Sequence, residues 1–200
     1  MIKTTAVDSN SPFLVTWDLG KRCNFDCSYC SSNRHTNDSP YSKLDELIKT
    51  YSFIKSWVKL YKKNEYTIDF TGGEPTNNPN FWDLLKHIKN DDPTVTLGVT
   101  TNGSWGEKHQ KLLTDHVRHA TISVHFEEDP IVKKRVLNNI LSLNKQLPIN
   151  VNVMLHTDHW GEVKQTIELL EQNNVIHSLV PIGDSHNDIV GWFKDKRGIM

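Results

Sequence analysis

Two adjoining segments, Phe13-Leu14-Val15-Thr16-Trp17-Asp18-Leu19-Gly20 and Cys23-Asn24-Phe25-Asp26-Cys27-Ser28-Tyr29-Cys30, decide how the rest of the chain is read. The first is a short apolar, β-branched and aromatic run closed by glycine, which reads as a buried strand. The second holds all 3 cysteines of the 200-residue chain, spaced C-x3-C-x2-C. Soft thiolates so close in sequence converge on one centre only if a loop wraps around it. A structural zinc site needs a fourth ligand, and His35 supplies one only at a spacing unlike the usual finger and ribbon patterns. Three readings stand on spacing alone: a cubane iron–sulfur cluster with one open iron, a zinc site, and a redox or plain buried cysteine group.

Outward from this loop, strand and helix signals alternate. Ser39-Pro40 supplies a cap and a first-turn proline, and Leu44, Leu47, Ile48, Tyr51, Ile54, Val58 and Tyr61 recur at helical spacing up to Lys62-Lys63-Asn64. Tyr66 to Phe70 reads as a strand ending in Thr71-Gly72-Gly73-Glu74-Pro75, and Asn78-Pro79 opens a helix carrying Phe81, Leu84, Leu85 and Ile88. Val95 to Thr100 is the next strand, followed by Thr101-Asn102-Gly103 and a capping box of Ser104 with Glu107. Thr121 to Phe126 precedes a helix opened by Asp129-Pro130. Ile149 to Leu155 precedes a helix through Trp160, Val163, Ile167 and Leu170, and Val175 to Ile182 closes the series. The Trp192-Phe193 segment forms a short helix or packs over an edge.

Strands separated by helices argue for parallel β-α units, whose ligand sites lie beyond the carboxyl ends of the strands. The polar signals fall there: the cysteines, Gly-Gly-Glu-Pro, Thr-Asn-Gly, His125, His156 and Gly183-Asp184 follow successive strands. Periodicity leaves an open twisted sheet and an incomplete barrel as alternatives. Ser123 and His125 share one strand face and point inward if Ile122 and Val124 meet the helices; Asn152 and Met154 share another. Each candidate has a plainer reading. The glycine pair serves a tight turn, Thr101-Asn102-Gly103 an Asx turn, and Tyr29 a shield for the loop. His156, Asp158 and His159 read as loop solvation, Glu127-Glu128-Asp129 as a charged helix start, and Lys133, Lys134 and Arg135 as a solvated helix face.

The C-x3-C-x2-C spacing, with Tyr29 before Cys30, and Gly72-Gly73-Glu74-Pro75 at the next strand end together resemble the radical S-adenosylmethionine (radical SAM) enzyme superfamily. The resemblance runs from about Val15 to Gly183 and implies an α/β fold, a partial (β/α)6 TIM-like barrel with six mainly parallel strands. It implies a single core domain over 1–200, with 1–12 as a lead-in and 184–200 as a tail or the start of an extension. Cys23, Cys27 and Cys30 would ligate a [4Fe-4S] cluster whose open iron takes S-adenosyl-L-methionine. Cofactor contacts are expected from Tyr29, Gly72, Gly73, Glu74, Pro75, Thr101, Asn102, Ser123 and Asn152. His125 is the catalytic candidate, with binding of the cofactor carboxylate and a purely structural role as alternatives.

The chain carries 23 basic and 24 acidic residues, a formal charge of -1, so nothing marks it as built to neutralise nucleic-acid phosphates. Trp17, Tyr29 and Trp57 form no basic stacking strip. Clustered cysteines of odd number fit a reducing compartment, and no run reaches the roughly 18 to 20 apolar residues of a membrane span, so a cytoplasmic enzyme is expected. Its expected partners are a reductant such as flavodoxin or ferredoxin and a small-molecule or protein substrate.

The primary expectation is hydrogen abstraction from a nucleotide or nucleoside precursor. Alternatives are an activase or peptide-modifying enzyme acting on a protein partner, and a metal-stabilised binding module. Later cysteines of the kind that hold auxiliary clusters in many peptide-modifying relatives are absent.

Overall fold

The computed structural model describes residues 2–4, 12–31 and 35–182. Seven strands form one sheet in the order β1-β2-β3-β4-β5-β6-β7: β1 (Ile2–Thr4), β2 (Phe13–Asp18), β3 (Tyr66–Thr71), β4 (Thr96–Thr101), β5 (His119–Val124), β6 (Ile149–Leu155) and β7 (His177–Pro181). The helices are α1 (Leu44–Leu60), α2 (Phe81–Asp91), α3 (Glu107–His116), α4 (Pro130–Leu143) and α5 (Trp160–Gln172). From β2 to β7 every pairing is parallel. A doubly wound sheet needs a reversal of strand order, and there is none here; consecutive order with a helix after each strand is the winding of a barrel. This decides between the two architectures left open by periodicity, in favour of the partial (β/α)6 barrel. The antiparallel β1 on its edge, pairing Ile2 with Trp17 and Thr4 with Val15, lies in what reads as a lead-in.

The first barrel strand is buried on one face only. Phe13, Val15 and Trp17 are buried while Leu14, Thr16 and Asp18 are exposed, and the same alternation runs through β3, β5 and β6. One face, with Ile68, Phe70, Leu97, Ile122, Val151 and Val153, packs under the helices and is sealed from water. Each such side chain contributes about 1.5–3 kcal/mol by leaving water. The facing helix stripes are Leu47, Tyr51, Ile54 and Val58 in α1, Leu84, Leu85 and Ile88 in α2, and Val163, Ile167 and Leu170 in α5.

Three helix starts differ from the sequence expectation. α2 begins at Phe81, after Asn80 rather than at Asn78-Pro79, because the Asn78 side chain accepts the Asn80 N–H at 2.9 Å. α1 begins at Leu44 rather than at Ser39-Pro40, with Glu46 accepting the backbone N–H of Lys43 at 3.1 Å. The stretch before it is held by tertiary contacts instead: Ser42 donates its hydroxyl to the Leu19 carbonyl, Tyr41 accepts from Asn77, and Arg22 lies over the Tyr41 ring. The Ser104–Glu107 capping box does not form. Gly106 is the residue before α3, and Ser104 donates both its N–H (3.0 Å) and hydroxyl (2.6 Å) to Asn102 Oδ1. Asp129-Pro130 behaves as read, with Asp129 accepting from the Ile131 N–H at 2.7 Å. Gly183-Asp184, the tail 184–200 and Trp192-Phe193 lie outside the described residues.

Candidate cofactor site

Beyond the carboxyl ends of the strands, Cys23, Cys27, Cys30, Phe25, Tyr29, His35, Thr71, Gly72, Gly73, Thr100, Thr101, Asn102, Ser123, His125 and Met154 line one cavity of about 640 Å³. All three cysteines therefore face the space that Gly72-Gly73, Thr101-Asn102, Ser123 and His125 also reach. No three ligand side chains among the described residues are already gathered as a ready metal site. The thiols ring a cavity instead, and its volume accommodates a multi-iron cluster with a small molecule beside it. Burial pushes the Cys23 thiol up to about 11 and the Cys27 thiol to about 12. Thiolates at neutral pH therefore need a cationic centre between them, as metal ligation supplies. His35, the alternative zinc ligand, has Nε2 3.1 Å from Asn37 Oδ1 and Nδ1 3.8 Å from Asp26.

Gly72 and Gly73 are required by close packing. Gly73 donates its N–H to the Gly20 carbonyl at 2.7 Å, and Glu74 donates to Arg22 at 2.9 Å. A Cβ on Gly73 would fall 2.3 Å from the Arg22 carbonyl oxygen, and one on Gly72, whose φ is +137°, 2.6 Å from that of Gly20. The close approach is thus made first by the backbone leading into Cys23, with the cavity on the other side.

Glu74 is buried and does not line the cavity. Its carboxylate accepts from the Thr76 N–H (2.9 Å), the Thr76 hydroxyl (2.6 Å), the Thr101 hydroxyl (2.7 Å) and the Asn102 N–H (2.6 Å). Burial raises its pKa, against those hydrogen bonds. Pro75 opens a 3₁₀ turn and is buried behind the cavity. Glu74 therefore welds the ends of β3 and β4, and Asn102 extends the weld to the cysteine loop by donating to Asn24 Oδ1 at 3.1 Å. Asn152 faces the barrel interior beside Ser123, its Oδ1 accepting from Asn150; it is not brought to the cavity wall, whereas Met154 is.

His125 follows β5 and faces inward, opposite to Ile122 and Val124, as the alternation requires. Its Nδ1 lies 2.5 Å from the Tyr29 hydroxyl and 3.4 Å from Cys27 Sγ, and its ring stacks on Tyr29 at an interplanar angle of 12°. Burial lowers its pKa to about 4, against an opposing pull from Glu127. The imidazole is therefore neutral near pH 7, and its Nδ1 shares a hydrogen bond with the Tyr29 hydroxyl. Burial raises the Tyr29 pKa, so the phenol remains protonated.

Sequence reasoning missed three features. Glu127 is not part of the helix start, which Asp129 caps alone: it accepts from the Ser28 N–H at 2.6 Å, the Ser28 hydroxyl at 2.5 Å and His156 Nε2 at 2.9 Å. Burial raises its pKa, and the bonds from Ser28 and His156 outweigh that to leave it below the usual value. His156 is accordingly a largely covered partner, its side chain 14% exposed, and not a solvated loop residue; His159 bonds Glu162 instead. The third is an Asp69–His119 pair inside the barrel, 2.7 Å apart, passing over Gly98. Lys133 donates to Phe126 O and Glu162, so it does not reach for a cofactor carboxylate.

A consecutive parallel barrel carrying three cysteines in the loop after its first parallel strand and a Gly-Gly-Glu-Pro turn after the second defines a barrel protein with a cysteine loop at the mouth of its cavity. The Radical SAM superfamily matches residues 17–188, and the chain belongs to it; its cofactors are a [4Fe-4S] cluster and S-adenosylmethionine. Over 180 residues it is 32% identical to the GTP 3',8-cyclase of Staphylococcus haemolyticus (strain JCSC1435), covering 88% of this chain and 48% of that protein. The AdoMet-dependent heme synthase of Methanosarcina barkeri (strain Fusaro) is 25% identical over 193 residues, 88% of this chain and 53% of the other. The chain thus spans about half the length of these curated relatives. Streptococcus suis SuiB bound to precursor peptide SuiA shares the fold with a TM-score of 0.61 at 14% identity, covering 94% of this chain and 47% of that one. No helix among the described residues is long and apolar enough to cross a membrane.

Proposed function

We propose that Cys23, Cys27 and Cys30 hold the cluster, that the cavity beside them holds S-adenosylmethionine, and that the barrel's concave face presents a peptide or protein segment for hydrogen abstraction. When bound, the pair would supply the chemistry of the class, reductive cleavage of the sulfonium with one electron from an external reductant to give the hydrogen-abstracting radical. The chain's own residues bind and aim. Thr71, Thr100, Ser123 and the Gly72-Gly73 backbone offer polar contacts around the cavity, Tyr29 and Phe25 offer aromatic walls, and neutral His125, hydrogen-bonded to Tyr29, is the group placed to handle a proton.

The observation that carries the substrate class is the chemistry of the concave face. Along the six parallel strands it presents Thr16, Asp18, Thr67, Asp69, Thr71, Thr96, Thr100, His119, Thr121, Ser123, Asn150, Asn152 and Ser178 beside the apolar Leu14, Met154 and Val180, and none of these strands contains a lysine or arginine. A neutral, hydrogen-bonding substrate such as peptide backbone suits a wall of hydroxyls and amides. A nucleoside triphosphate brings several negative charges and calls for cations that these strands do not offer. The nucleotide reading draws its support from the similarity to GTP 3',8-cyclases.

Anaerobically reconstituted protein should carry one four-iron, four-sulfide cluster per chain by iron and sulfide analysis and Mössbauer spectroscopy. With dithionite and S-adenosylmethionine it should release 5′-deoxyadenosine, and cell-extract fractions should stimulate that release. Stimulation destroyed by protease supports the peptide substrate. Stimulation that survives protease and is destroyed by phosphatase moves the substrate to a nucleotide, while a stoichiometric zinc ion without sulfide removes the whole reading.

A further inference from the structure

In the turn between Cys27 and Cys30, the Cys30 N–H donates to the Cys27 carbonyl at 2.9 Å, and the turn is also gripped from the loop between β5 and α4, about a hundred residues away in sequence. Both oxygens of one carboxylate close on Ser28, the residue after Cys27: Glu127 Oε2 takes its backbone N–H at 2.6 Å and Oε1 its hydroxyl at 2.5 Å. The same Oε1 accepts from His156 Nε2 at 2.9 Å, which ties the far side of the carboxylate to the end of β6. Glu127 is not needed to start α4, since Asp129 caps it.

We infer that Glu127 is a positioning residue for the cluster, a clamp that fixes the Cys27–Cys30 turn and through it directs Tyr29 onto His125. The role rests on the cluster assignment above. A bidentate carboxylate gripping a backbone N–H and a hydroxyl of one residue leaves that residue little freedom to rotate, so the next side chain, Tyr29, is directed into the cavity. There it meets His125 face to face and the His156 ring edge-on, with centroids 6.1 Å apart for the latter pair. Glu127 touches no cavity-lining sulfur itself and acts through Ser28. Outer residues that orient metal-bearing loops affect how tightly the metal is kept more than whether the protein folds.

The test compares wild type with Glu127→Ala and Ser28→Ala, the second removing only a hydroxyl. In metal-free protein, amide exchange at Ser28 and Tyr29 should quicken about tenfold or more in Glu127→Ala, and less in Ser28→Ala, with the strand amides unchanged. In reconstituted protein, iron release to a chelator should quicken by about tenfold to a hundredfold in Glu127→Ala, with the melting temperature of the metal-free form preserved. Unchanged exchange in both variants overturns the clamp. Faster exchange with unchanged iron release overturns the positioning role, and so does iron release that merely tracks a fall in melting temperature. Should Glu127→Ala fail to fold, unchanged exchange and iron release in Ser28→Ala overturn the inference by themselves. A wild-type protein that takes up no iron and sulfide strikes the cluster assignment, and the exchange measurement then decides the clamp alone.

Discussion

The two faces of the same six parallel strands differ as sharply as two proteins. The helix-side face is apolar and closed: Ile68, Leu97, Ile122, Val151 and Val153 are each 0% exposed. The concave face is polar and partly open, with Thr16, Asp18 and Thr100 exposed and the Asp69–His119 pair 31% and 41% exposed. One face holds the barrel together by area removed from water, and the other keeps hydrogen-bonding groups available for a ligand. The difference teaches that stability and chemistry are separable here residue by residue, because strand alternation assigns neighbours to opposite tasks. A substitution on one face should move melting temperature, and one on the other should move cofactor or substrate handling.

The largest effect should come from Cys27→Ala, which removes a cluster ligand: four-iron loading should disappear while the metal-free protein keeps its far-UV circular dichroism. Loss of the fold together with the iron would erase the separation. On the closed face, Ile122→Ala should cost about 2–5 kcal/mol in chemical denaturation, with the folded fraction still taking up iron. Intact stability there would show that the helix-side core is not what holds the barrel.

His125→Ala tests the open face at its upper end. Iron content and S-adenosylmethionine affinity should be retained while substrate-dependent 5′-deoxyadenosine formation falls about a hundredfold, the scale of a lost proton-handling group. Reduced cofactor affinity would make His125 an anchor for the cofactor, and unchanged turnover with lowered melting temperature would make it structural. Gly73→Ala lies on the seam between the faces, and its added methyl would strike the Arg22 carbonyl immediately before Cys23. Cluster loading and S-adenosylmethionine affinity should therefore fall together, by about tenfold, since something in the loop must shift. A loss confined to cofactor affinity would show that the glycine serves the ligand alone.

The smallest effect concerns Asp91, remote from either face. Its hydrogen bonds from Lys55 and Tyr51 hold its carboxyl below the usual range. Because the folded state then binds its proton less readily than the unfolded chain, this stabilisation is present above about pH 4 and is lost as pH falls through the depressed value. The pair is half exposed, so Asp91→Asn should cost only about 0.2–1 kcal/mol near pH 7. It should also flatten the acid limb of a stability profile; an unchanged limb would place the titration elsewhere.

Much of this was legible in one dimension. Apolar and β-branched runs located the six parallel strands, apolar residues at helical spacing located four of the five helices, a cap signal that does not form located α3, and two motifs at consecutive strand ends pointed to the cluster loop and its neighbour. Ser123 and His125 were placed inward by parity alone, and the structure puts both on the cavity wall. Local periods carry that information because side-chain direction in a strand or helix repeats every two or 3.6 residues. Helix starts were less legible, since Ser104 and Ser39-Pro40 look like caps to their neighbours while tertiary partners claim them.

What only the tertiary structure decided is how the strand ends are joined. Nothing around Glu74 announces that its carboxylate will take four donors from Thr76, Thr101 and Asn102 rather than face a ligand. Nor does the acidic run at Glu127 show that one member reaches back to Ser28, 99 residues earlier. A carboxylate leaving water must be matched by donors, and barrel closure sets which loops come within about 3 Å to provide them. The chain's periodicity determined the alternating strands and helices and set the cysteines at a strand end; the consecutive strand order made them a barrel, and the pairing of distant loops, which no local period encodes, determined which acidic groups hold the site together.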